Sequence, residues 1–185
     1  MQTRDLTTII IMAVLQFIIT ALIAQMGTLI TGIPGTNFLF TILLTIPITF
    51  SSLIFEGRRW RMFLQLTLFA VLIIPTRLGG APFDVPSRLG TVAAGFLLDL
   101  FANSIYKTFK ERDKLMWWSV LNGTIVYLLI PFFSIITKIL FATPEAVESF
   151  LGVLSLLLPV IVAEAAMGGY IGYKIYKRQI NWATT

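Results

Sequence analysis

Long apolar runs alternate with short polar breaks along this chain, and its charges collect at the breaks. The first run opens with Thr3-Arg4-Asp5 and continues over about 6–30, with no small-residue cleavage site after its hydrophobic core. It therefore reads as a retained helix and not as a signal peptide. The charge-free stretch Gly27 to Asn37 follows, and its Gly-Ile-Pro-Gly-Thr-Asn run cannot continue a helix, which predicts a turn-rich loop. A second run covers about 38–55 with Pro47 as a kink near its middle, and it ends at Glu56-Gly57-Arg58-Arg59-Trp60-Arg61. The third covers about 60–76 and closes around Pro75; the fourth, fifth and sixth cover about 89–106, 117–140 and 150–173. A helix needs roughly 20 apolar residues to cross a hydrocarbon core about 30 Å thick. The expected fold is an all-α integral membrane protein, one domain over 1–185 with six transmembrane helices.

Composition agrees with the pattern. Hydrophobic residues make up 57% of the chain, charged residues 12%, and the mean hydropathy is +0.87. A soluble domain carries roughly a quarter charged residues. Six spans leave no room for a soluble catalytic domain. The absence of Cys and His removes thiol chemistry, disulfides, haem ligation and nearly every zinc or non-haem iron site.

The net charge of +5 has a membrane explanation rather than a nucleic-acid one. If the N-terminus, the second-to-third loop, the fourth-to-fifth loop and the C-terminus share one side, 11 of the 14 Lys and Arg gather there, leaving Arg77, Arg88 and Lys138 opposite. The positive-inside rule then places both termini in the cytoplasm of a multi-pass cell-membrane protein, with all four Trp near that interface.

One polar stretch stands apart. Arg77-Leu78-Gly79-Gly80-Ala81-Pro82-Phe83-Asp84-Val85-Pro86-Ser87-Arg88 packs three charges, two prolines and a Gly pair between apolar runs, on the external side by the charge count. With Lys138, the loop ending at Asn37, and flat apolar surface from Phe38, Phe83 and Tyr127, it outlines the mouth of a small-molecule site, mostly apolar with a few convergent polar groups. Mutual pairing of Arg77, Asp84 and Arg88, or contact with lipid headgroups, is the alternative.

Carboxylates inside spans are costly and need a reason. Asp99 lies about 16 Å along the fourth helix from Arg88, and Asn103 shares its face one turn on. Asp99, Asn103 and Asn122 could knit the fourth and fifth helices together, or Asp99 could serve a ligand or a proton. Glu164 has no polar neighbour at helical spacing, which points to a pocket floor or a protonation site. Glu145 and Glu148 fit the negative first turn of a helix better than a metal site. Without a nucleophile beside a base, a phosphate-binding Gly loop or a paired-Asp metal motif, the expectation is a non-enzyme with no cofactor.

The assembled pattern resembles the substrate-binding S components of energy-coupling-factor (ECF) vitamin transporters. The likeness covers nearly the full length and rests on architecture: six spans in about 180 residues, both termini inside, and Leu6-Thr7-Thr8-Ile9-Ile10-Ile11-Met12-Ala13 leading into a small-residue helix. A first external loop and a long third external segment complete it. The resemblance implies a high-affinity subunit that captures a vitamin-like solute outside, for uptake driven by partner ATPases and a transmembrane coupling subunit. The polar mouth and the residues beneath it give the expected solute contacts, Asn37, Arg77, Asp84, Arg88, Tyr127, Lys138 and Glu164, while the resemblance implies partner docking through Ala13 and Ala21, with Ala24 as a substitute where Phe17 interrupts the Ala spacing. Two rivals from other classes remain: an assembly subunit of a larger membrane complex, and a proton-coupled secondary transporter using Asp99 or Glu164.

Overall fold

The computed structural model describes residues 3–31, 40–76, 78, 83 and 85–183, with backbone alone for 24–31, 86–87 and 180–183. Six helices follow one another: α1 (Thr3–Thr31), α2 (Thr41–Phe55), α3 (Arg61–Ile73), α4 (Val85–Glu111), α5 (Leu115–Phe141) and α6 (Pro144–Ala183). No strand occurs among the described residues.

The runs set the helices, but their lengths differ from the sequence expectation. Stretches within α1, α4, α5 and α6 are long and apolar enough to cross a membrane; α2 and α3, of 15 and 13 residues, are shorter. At 1.5 Å per residue these two reach only about 20 Å, against a core of about 30 Å. The Gly27 end of the expected first loop is helical, since α1 continues to Thr31. α2 runs unbroken through Pro47, and α6 begins six residues before the expected span, with Thr143 Oγ1 accepting from the Ala146 amide and Glu145 in the first turn.

The helices form a ring in the order α1, α3, α4, α5, α6, α2, with α2 also touching α3 and α5. α2 is the buried core element: Thr41, Thr45, Thr49 and Ser52 recur along it and are all buried. Their hydroxyls find local or cross-helix acceptors, Thr45 on the Thr41 carbonyl at 2.7 Å, Thr49 on that of Thr45 at 2.9 Å, and Ser52 on Asn122 at 3.4 Å. Burial therefore leaves these hydroxyls satisfied, at low steric cost.

Glycines let α5 and α6 close on this face. A Cβ on Gly168 would sit 2.6 Å from the Ile42 carbonyl oxygen, one on Gly123 2.5 Å from Thr45 Cγ2, and one on Gly169 2.7 Å from the Ser119 carbonyl oxygen. Small residues of this kind allow backbone approach where lipid supplies no hydrophobic drive. Ser119 adds a direct tie, donating to the Gly169 carbonyl at 2.8 Å.

One end of the bundle is basic and tightly locked. Asp5, fully buried, meets Arg58 at 2.7 Å and Arg61 at 3.1 Å, which joins the start of α1 to the α2–α3 turn. Arg58 also donates to the Phe55 and Ile54 carbonyls, closing the end of α2. Trp118, buried, donates to the Ala102 carbonyl at 2.9 Å and stacks edge-on with Tyr106. The opposite end, where α5 passes to α6, is exposed along most of 139–160.

Candidate functional site

Glu164 lies where α2 begins. The Ile42 amide donates to its carboxylate at 3.3 Å, and the Thr41 amide faces it too. These are among the first amides of a helix, which have no acceptor inside it. Phe40, the residue before α2, provides no side-chain cap. A carboxylate from another helix supplies the acceptor and complements the positive end of the helix dipole. The missing polar neighbour of Glu164 is thus a backbone, 122 residues earlier in the chain.

Asp99 performs the same service for α3. It accepts from the Phe63 amide at 2.6 Å, with the Met62 amide beside it, and from the side chain of Asn103. Asn103 also donates to the Arg58 carbonyl at 3.4 Å. The expected cluster with Asn122 is corrected here: Asp99 and Asn103 tie α4 to α3 and the α2–α3 turn, whereas Asn122 meets Ser52 on α2. The physical reason is the helix start, whose amides outcompete a distant amide side chain as partners for a carboxylate.

Tyr127 and Lys138 are placed by the packing of α5 on α6. Close pairs 119/169, 123/165 and 138/150 keep one antiparallel register, which sets Tyr127 opposite Ile161, about one helical turn from the level of Glu164. Tyr127 is buried. Lys138 sits about three turns of helix beyond Tyr127, at the exposed end, with its ammonium 4.9 Å from the centre of the Phe150 ring. Arg88 is 2% exposed in the first turns of α4, two residues from Gly90, which packs on Phe133. Arg88 and Lys138 therefore share the end away from the basic cluster, while Tyr127 and Glu164 lie deeper. Asn37, Arg77 and Asp84 fall outside the described residues, as do the side chain of Ala24 and the whole run of Gly79 to Pro82.

The small-residue face of α1 turns inward. Ala13 is fully buried, and Ala21 packs with Phe17 against Ile73 and Leu78. Gln16 accepts from Gln65 of α3 at 2.9 Å, and Thr20 donates to the Gln16 carbonyl. Ala13, expected at a docking face, is buried, and the close approach that its size permits is used by the chain's own helices. The outward face of α1 carries Leu6, Ile10, Val14, Ile18 and Leu22 instead.

Three features escaped the sequence reading: the Asp5 pairing with Arg58 and Arg61, the Gln16–Gln65 contact, and the two cross-helix caps. A hint for the first was the acidic residue at the head of an apolar run beside a basic cluster elsewhere in the chain. A depression of about 380 Å³ opens at the basic end, not at the end where Arg88 and Lys138 lie; it is lined by Thr108, Phe109, Arg112, Lys114 and Trp117. Among the described residues no three acidic side chains gather to hold a metal ion. No family model matches the sequence, and neither a characterised protein nor a solved structure is significantly similar to it.

Proposed function

We propose that the chain is a membrane-embedded binding subunit which captures a small vitamin-like solute at the end opposite its basic cluster, for uptake driven by partner ATPases through a coupling subunit. In this reading all six helices lie in the cell membrane, both termini are cytoplasmic, and the chain itself performs no catalysis. The charge asymmetry of the loops supports that orientation.

The observation that carries the reading is the level at which α2 starts. Its first amides, held by Glu164, lie 20 residues into α6, so α5 and α6 extend well past them toward the end that carries Arg88 and Lys138. Beyond the start of α2 toward that end, α4, α5 and α6 set a carboxylate, a buried tyrosine and two cations at successive levels. Such a sparse set of polar groups among apolar walls suits a small organic solute, and the cations favour one bearing a carboxylate or phosphate.

A second reading, a scaffold subunit without a ligand, is favoured by one specific observation: both carboxylates inside the helices are engaged as caps. The same engagement weighs against a proton-coupled transporter, whose acid must release its partner to cycle. Native mass spectrometry of the gently extracted protein separates the first two. A retained small molecule, lost on Arg88→Ala or Asp84→Ala, fits the binding subunit. A chain that carries no small molecule, with or without bound protein partners, fits the scaffold.

A further inference from the structure

The turn between α4 and α5 holds a depression at the end opposite Arg88 and Lys138. Four cations crowd it. Lys107 pairs with Glu111 at 3.8 Å and Lys110 with Glu56 at 3.9 Å. Arg112 and Lys114 enter no ion pair or side-chain hydrogen bond among the described residues, and both line the depression with Thr108, Phe109 and Trp117. Asp113, held in the left-handed region at φ 55°, tightens the turn and is not among the lining residues.

The start of α5 adds backbone donors. Lys114 is its N-cap and makes no side-chain cap bond, while its carbonyl accepts from the Trp118 amide. The amides of Leu115, Met116 and Trp117 therefore lie at the positive end of the helix dipole without an acceptor among the described residues. Arg112, Lys114 and Thr108 line the depression, and the helix start that Lys114 caps lies beside it, a combination suited to a tetrahedral anion.

The surroundings decide which anion. α4 and α5 contain stretches apolar enough to cross a membrane, and the turn that joins them lies where headgroups would sit. Trp117 is 60% exposed, and Leu121 and Leu128 continue the same exposed face along α5. An acyl chain beside the phosphate would find an apolar track, and an aromatic ring at its head suits the interface. We propose that this depression binds the phosphate of one anionic phospholipid, with Arg112 and Lys114 as its cationic contacts.

The test uses the full chain reconstituted in phosphatidylcholine vesicles doped with phosphatidylglycerol, then extracted and weighed by native mass spectrometry. Wild type should retain one phosphatidylglycerol, and Arg112→Gln with Lys114→Gln should lower retention roughly tenfold or more. The pair Lys177→Gln and Arg178→Gln removes the same charge from exposed positions near the end of α6 and should leave retention unchanged. All four side chains are exposed, so melting temperature should stay constant and folding is not at issue. An equal drop in both double variants would reduce the site to general attraction and overturn the proposal. Displacement of the lipid from wild type by inorganic phosphate would overturn it as well, marking a site for a soluble anion.

Discussion

Replacing Glu164 by leucine would leave the first amides of α2 facing an apolar side chain, whereas glutamine at the same position keeps an oxygen acceptor. The leucine variant should lose about 1–3 kcal/mol in equilibrium unfolding in mixed micelles and the glutamine variant clearly less. Asp99 makes the parallel case at α3, and Asp99→Ala should cost a similar amount by orphaning the Phe63 amide and Asn103 together. If Glu164→Leu and Glu164→Gln unfold alike, the capping role fails. Asp5→Ala removes the shared partner of Arg58 and Arg61; with both arginines partly exposed, the loss should be about 2 kcal/mol, below the value for a fully buried pair. Sequence reading found Asp99 and Asn103 together because helical spacing alone places them. It could not find the caps, since each joins a carboxylate to a backbone amide far along the chain, and backbone donors carry no sequence signal.

At the scale of elements, the glycine contacts of α5 and α6 with α2 are the most exposed to challenge. Gly168→Ala puts a Cβ 2.6 Å from the Ile42 carbonyl oxygen, a backbone atom that cannot swing aside. A loss of about 1–3 kcal/mol follows from the overpacking. Gly152, also within α6, has open space around it, and Gly152→Ala should stabilise by up to about 1 kcal/mol through helix propensity. Equal melting temperatures for the two variants would contradict the packing. The apolar runs made all six helices legible, because each is bounded by charges, Gly or Pro. Their lengths were less so: hydrophobicity continues past Ile73 into Ile74, and the turn over Pro75, with the Thr76 amide on the Ile73 carbonyl, stops α3 one residue before the apolar run ends. The inward face of Ala13 was illegible for a related reason. Small residues declare that something approaches closely, and the partner's identity lies in tertiary structure.

For the whole molecule, the two ends differ in how they are tied. The basic end is pinned by the Asp5 cluster, the Asp99 cap and the Trp118 contact, while the far end carries Lys138 and Arg88 above the start of α2. A base held by ion pairs and caps with an exposed, polar-dotted far end fits the proposed subunit, which takes up solute at one end and engages membrane and partners at the other. That claim is tested most directly by incubating the full chain in proteoliposomes with a mixture of vitamins and identifying the bound fraction by mass spectrometry. One compound should be retained; Lys138→Ala or Arg88→Ala should abolish or sharply weaken its retention, and Arg112→Gln should not. Retention of no compound, or of one whose binding follows Arg112 and ignores Arg88 and Lys138, would contradict the claim.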